Sequence, residues 1–218
     1  MQQALQFSNK WGGWRERAGR KKRTSGTAHA TRPALKRELP THVTMKRLPG
    51  LDSFRRNGVY QLITAVFKAA QKDDFRIVHS IQHDHLHLLI EADSREAMTC
   101  GMRGLGRRLG YHLNKKWERK GSIFAERFHE RILDNLQQVV NTLRYVLNNH
   151  RKHGIARNAN RPDPLSSGKY FDGWLDYFHI PKPSSKDSWL EPRSWKLRIG
   201  WKKRYPLIPI GSTPSRCD

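Results

Sequence analysis

The chain has 218 residues, of which 36% are hydrophobic and 28% charged, a composition that suits one domain of ordinary size with additional chain outside its core. Its 42 lysines and arginines outnumber its 19 aspartates and glutamates, so the expected partner is a polyanion such as nucleic acid. The sequence lacks a secretory apolar region, a run of the ~20 apolar residues needed to span a membrane, and a disulfide framework. We therefore expect a cytoplasmic protein with no membrane partner.

Residues 1–39 are predicted to form a basic disordered arm, because they carry charge, glycine and hydroxyl residues without hydrophobic periodicity. An arm of this kind can lie along DNA phosphates. Its candidate DNA contacts are Arg15, Arg17, Arg20, Lys21, Lys22 and Arg23. A solubilising tail without a binding role is the alternative.

Periodicity from residue 40 onward predicts a folded domain at 40–160. The expected elements are a strand at 42–46, a helix at 57–72, strands at 75–80 and 83–91, a helix starting near 95, a strand at 123–133 and a helix at 135–153. This βαββαβα order favours an α+β, ferredoxin-like fold: a split βαβ antiparallel sheet with helices on a single face and one added C-terminal helix.

Residues 161–218 show no clear period and are predicted to be an extended basic tail rich in tryptophan and proline. Trp189, Trp195 and Trp201 are spaced six apart among lysines and arginines. Such rings could stack on unpaired bases while the cations hold phosphates. Alternatively, they cover an apolar edge of the domain.

Three histidines alternate along the predicted third strand. Strand geometry places His83, His85 and His87 on one face together with Glu91. Imidazoles about 6–7 Å apart on an exposed sheet face can converge on one divalent metal. Ordinary surface histidines are the alternative, and a metal hydrolase using these four side chains is another, although it would not explain the excess of positive charge.

The last predicted helix places Tyr145 on its polar face, opposite an apolar stripe, with Asn149 one turn later. An exposed tyrosine among amides would show the same pattern. Together with the histidines, however, it suggests a reaction. A tyrosine hydroxyl can attack a phosphodiester if a metal neutralises the developing charge, and two imidazoles with an amide oxygen would leave Mg²⁺ or Mn²⁺ open to phosphate.

These motifs, His85-Leu86-His87 and the segment from Arg144 to Ile155, resemble the single-tyrosine HUH transposases, in particular the branch associated with repetitive extragenic palindromes (REP). The similarity runs from about residue 42 to residue 154. It implies a metal-dependent nickase and strand transferase for single-stranded or hairpin DNA. It also implies that His85 and His87 are metal ligands, Tyr145 is the nucleophile and Asn149 is the third ligand.

The sequence departs from the family pattern at two positions. Asp84 stands where the family often has Asn, and alternation would place it on the core side; His150 stands where a Pro often follows the helix Asn. His83 is an additional imidazole, either a further ligand or a proton carrier. Further candidate DNA contacts are Arg103, Arg107 and Lys152.

The sequence leaves two questions open. A ferredoxin-like DNA- or RNA-binding module without catalysis would also account for the charge and the sheet. Whether one chain or a homodimer completes the site is also undecided.

Overall fold

The computed structural model describes residues 34–35, 39–152, 154, 160–176 and 191–212. The chain divides into two units, 1–31 and 32–218, and all described residues belong to the second unit. The six basic side chains proposed for the N-terminal arm, and Trp189, lie outside the described residues. No helix in the described ranges is long and apolar enough to cross a membrane.

The folded unit is a four-stranded antiparallel sheet with the strand order β2-β3-β1-β4. Its main elements are β1 (Thr41–Lys46), α1 (Val59–Ala70), β2 (Phe75–Ile81), β3 (His85–Ala92), α2 (Arg95–Lys116), β4 (His129–Ile132) and α3 (Leu136–Lys152). The α+β, ferredoxin-like prediction is confirmed. The fourth strand is shorter than predicted, because residues 123–128 make only an isolated bridge between Phe124 and Arg47.

The helices lie on both faces of the sheet, whereas the order of elements predicted helices on a single face. Val43, Leu88 and Ile90 pack with α1 and α2 in one apolar core, and Leu89 faces the opposite side, toward α3. The second core consists of Leu89, Leu133, Val139, Val140, Leu143, Leu147, Trp174, Leu197, Trp201, Ile208 and Ile210. The histidine face of the sheet is therefore partly covered.

The expectation of an extended tail from residue 161 does not hold for the described residues. Residues 160–176 form a segment that contacts the edge of β2 through Leu165 and Ser166. The Ile81 N–H donates to the Leu165 carbonyl (3.0 Å), and Ser80 bridges Ser166. Residues 191–212 form a π-helical turn (Lys196–Gly200) and α4 (Trp201–Arg204), which pack against α3. Burying the apolar stripe of α3 requires these late residues.

A buried ion pair fastens the β2-edge segment to the domain. The Arg55 guanidinium donates to both carboxylate oxygens of Asp163 at 2.7 and 2.8 Å, and also to the Ile81 carbonyl at 2.6 Å. The Asp163 side chain is 0% exposed and the Arg55 side chain 11%. Removing one partner would leave the other charge buried and uncompensated.

We therefore expect Arg55→Ala to lower the free energy of unfolding by about 3–5 kcal/mol, measured by urea denaturation of the full chain. The matched control is Arg56→Ala, because the pair between Arg56 and Asp52 has side chains 65% and 44% exposed. Exposed pairs contribute about 0–1 kcal/mol. Equal losses in the two variants would contradict a clamping role for the buried pair.

Candidate nucleophile and metal-ligand cleft

Two imidazoles from β3 meet at one point on the face of the sheet that α3 covers. The Nε2 atoms of His85 and His87 lie 2.9 Å apart, and their rings are nearly perpendicular at 83°. Two neighbouring ligands of one octahedral ion, each bonded at about 2.1 Å, also lie about 3 Å apart. The pair is therefore spaced as two ligands of one small divalent cation would be.

Strand β1 supports His87 from the other side of its ring. Thr44 is the register partner of His87, and its Oγ1 lies 3.3 Å from His87 Nδ1. The Nε2 of His42 lies 3.2 Å from the same nitrogen, with the two rings stacked. Burial, helped by the positive charge of Arg131 and by His85, lowers the pKa of His42 to about 4, so its ring is neutral at pH 7.

Asp84 is placed differently from the sequence expectation. The carboxylate belongs to the turn before β3, so strand alternation does not apply to it, and its side chain is 46% exposed. Its Oδ1 accepts a hydrogen bond of 2.7 Å from His85 Nδ1. Partial burial raises the pKa of this carboxyl, but the bond from His85 and the charge of Lys46 outweigh that effect and lower it. With the proton on Nδ1, the lone pair of His85 Nε2 faces His87.

We expect Asp84→Ala to weaken Mn²⁺ binding by about 10- to 100-fold, because a carboxylate behind a metal-binding imidazole fixes its tautomer and orientation. Asp84→Asn should lose less Mn²⁺ affinity than Asp84→Ala, since the amide oxygen can still accept the hydrogen bond from His85. Calorimetric titration of the DNA-free protein measures both affinities.

Asp52→Asn is the matched control, because the Asp52 side chain is 44% exposed and pairs with Arg56 instead of a histidine. It should bind Mn²⁺ as the unmodified chain does. If Asp84→Ala behaves in the same way, Asp84 does not orient His85.

Helix α3 brings its tyrosine against His87 and His42. The Tyr145 ring lies edge-on to His87 at 5.0 Å between centroids and to His42 at 6.1 Å. Two helical turns later, the Lys152 ammonium lies 5.5 Å from the centre of the Tyr145 ring. The hydroxyl-bearing ring therefore sits between two imidazoles and a cation, where negative charge on a phenolate or phosphate would be stabilised.

Asn149 lies one turn after Tyr145, buried with 0% exposure, and its amide contacts His85 Nε2 at 3.4 Å through the nitrogen. Its Oδ1 is buried and has no hydrogen-bond partner among the described residues. A half-turn of the amide presents that oxygen to the point where the two imidazoles meet. A hard divalent cation held there would satisfy the oxygen, so the residues present fit Mg²⁺ or Mn²⁺.

The side chains of His85, His87 and Tyr145 line a cleft of about 520 Å³. Among the described residues that line it, the cations are Lys46, Arg131 and Lys152, and the one acidic residue is Asp84. The net positive lining suits a phosphate backbone. Arg103 and Arg107 are exposed on α2, across the sheet from the cleft, so the structure does not bring them to it.

Two other residues of the proposed face do not join the cleft. His83 lies in the turn before β3, and its Nδ1 is 2.8 Å from Ser53 Oγ. The Glu91 carboxylate accepts the backbone N–H groups of Arg193 and Ser194 at 2.6 and 2.8 Å. Within the described ranges, no three His, Cys, Asp or Glu side chains form a group that could hold a metal.

Sequence reasoning missed five residues that line the cleft. They are His42, Thr44, Lys46, Arg131 and Thr142. The alternation of β1 already places the first three opposite Val43 and Met45, but only the pairing of β1 with β3 shows that they face the histidines.

No protein-family model matches the chain, and no curated protein matches it in sequence. Among solved structures, the chain is similar to a REP-associated tyrosine transposase bound to a REP hairpin. The TM-score is 0.52, and the match covers 65% of this chain and 82% of that chain at 16% sequence identity. The chain shares the fold of that transposase.

Proposed function

We propose that the protein is an HUH-type tyrosine transposase that nicks single-stranded or hairpin DNA and transfers the strand through a phosphotyrosine intermediate. The observation that carries the proposal is the placement of Tyr145 at 5.0 Å from the ring of His87, whose Nε2 meets that of His85 in a basic cleft. A binding module needs the basic surface but not a tyrosine beside convergent imidazoles.

The residues that would hold Mg²⁺ or Mn²⁺ are His85, His87 and Asn149. When bound, the cation would polarise the scissile phosphate and neutralise charge in the transition state. Lys46, Arg131 and Lys152 would hold the phosphates on either side.

Tyr145 is the proposed nucleophile. Its oxygen attacks the phosphorus, forming a phosphotyrosine bond as the bond from phosphorus to one deoxyribose oxygen breaks. The phenol proton passes to water, and the departing deoxyribose oxygen takes up a proton to become a hydroxyl. A hydroxyl of a second strand end then attacks the phosphotyrosine, which rejoins the DNA and restores the tyrosine.

The proposed DNA partner rests on the charge of the chain and on the solved structure of similar fold, which is bound to a REP hairpin. Tyr145 and both histidines belong to one chain, so a single copy supplies each side chain of the cleft described above. A homodimer stays a prediction.

The proposal is tested by incubating the protein with end-labelled hairpin DNA carrying a single-stranded flank, with Mg²⁺ or Mn²⁺. Denaturing electrophoresis should show a labelled band at the mass of a covalent protein–DNA adduct, and a chelator should abolish it. DNA binding without an adduct or a nick under these conditions would favour the non-catalytic binding module.

A further inference from the structure

Trp195 in the C-terminal region is exposed, although Trp201, six residues later, is buried in the second core. The Trp195 side chain is 54% exposed, whereas Trp201 is 0% exposed. Single exposed apolar side chains are common on protein surfaces, so exposure alone assigns Trp195 no role. Trp201 packs the segment onto the domain, and a role for Trp195 must come from its surroundings.

The exposed ring is held in a fixed position. Residues five apart stack in a π-helical turn, and Trp195 lies so closely over Gly200 that a β-carbon there would be 2.4 Å from the ring. Just upstream, the Glu91 carboxylate binds the backbone N–H groups of Arg193 and Ser194. Little entropy would be lost when a flat ligand stacks on a ring already fixed in this way.

Trp195 forms one wall of a pocket of about 310 Å³ that is separate from the catalytic cleft. Its charged lining residues are Arg76, Arg193, Asp73, Asp93 and Glu91. Two guanidinium groups against three carboxylates leave no excess of positive charge, so a phosphate is a poor fit. The indole can stack on the face of a neutral heteroaromatic ring, and the guanidinium and carboxylate groups can hydrogen-bond to its edge.

We propose that this pocket binds an unpaired base of the DNA strand, stacked on Trp195, and prefers a base with an exocyclic amino group. Adenine, cytosine and guanine carry such a group, which donates to a carboxylate, and thymine does not. The inference rests on the proposed function for the identity of the ligand as DNA. Glu91 and His87 are four residues apart on one face of β3, about 13 Å along the strand. Leu89 between them is buried in the second core, so a DNA strand that occupies both sites must pass around that core.

The test compares the affinity of the full chain for homopolymeric strands of deoxyadenosine, deoxycytidine and thymidine of equal length. Trp195→Ala should weaken binding of the first two by about 5- to 150-fold, the range for loss of one base–aromatic stack, and binding of the thymidine strand less. Trp195→Phe should retain most of the affinity. Leu175→Ala is the matched control, because Leu175 is 51% exposed but lies outside the pocket.

Crosslinking with photoreactive 5-iododeoxycytidine in the DNA, carried out in the Tyr145→Phe background, should give a crosslink in the tryptic peptide containing Trp195. This readout needs no cleavage, so it stands even if Tyr145 forms no adduct. Three results would overturn the inference: unchanged affinity in Trp195→Ala, equal losses of affinity for the thymidine strand and the other two strands, or a Trp195-dependent dimer, which would assign the ring to an interface between copies.

Discussion

Tyr145→Phe should form no covalent adduct with DNA and should nick it more slowly by about four orders of magnitude or more, the scale expected when a nucleophile is removed. DNA affinity should remain nearly unchanged, because the substitution removes one oxygen and no positive charge. Denaturing electrophoresis measures the adduct, and a gel-shift titration at the same salt concentration measures binding.

The chain offers a matched control in Tyr170. That ring is also partly buried and also lies beneath a lysine, with Lys169 Nζ 4.6 Å from its centroid, but it belongs to a 3-10 helix (Ser167–Tyr170) that does not line the cleft. Tyr170→Phe should react as the unmodified chain does. An adduct that persists in Tyr145→Phe would refute Tyr145 as the nucleophile.

His85→Ala and His87→Ala should each lose cleavage and weaken Mn²⁺ binding by more than the about 10- to 100-fold expected for a supporting hydrogen-bond partner. The reason is that each variant removes one of the two nitrogens that meet at 2.9 Å. Calorimetric titration of the DNA-free protein with Mn²⁺ gives the affinity without depending on activity.

His83→Ala is the control for this pair, because its imidazole contacts Ser53 and does not line the cleft. It should leave Mn²⁺ affinity unchanged. Since His87 is only 3% exposed, a thermal melt must accompany His87→Ala to show that the variant folds. Equal losses at all three positions would favour a three-imidazole site of the hydrolase type.

The candidate site was predictable from sequence where its residues lie on one element. The spacing of two on β3 places His85 and His87 on the same face, and the spacing of four on α3 places Tyr145 and Asn149 on the same side of the helix. The same reasoning failed for His83, because the strand begins only at His85.

Residues contributed by other elements could not be predicted in this way. His42 and Thr44 join the site through the pairing of β1 with β3, which connects positions more than 40 residues apart. The position of Asp84 depends on the turn before β3. His150 was expected only to remove a helix stop, but it is buried, and burial lowers its pKa. These placements depend on tertiary contacts, which produce no periodic pattern in the sequence.

By itself, the sequence determined the order of helices and strands and the residues that share a face, because the periods of 3.6 and 2 are local properties of the backbone. It also determined the excess of positive charge. Only the tertiary structure decided that α3 covers the histidine face, that residues 191–212 complete the second core and that Trp195 stays exposed while Trp201 is buried. Those outcomes depend on which apolar surfaces bury one another across long separations in sequence, and residue spacing does not encode that choice.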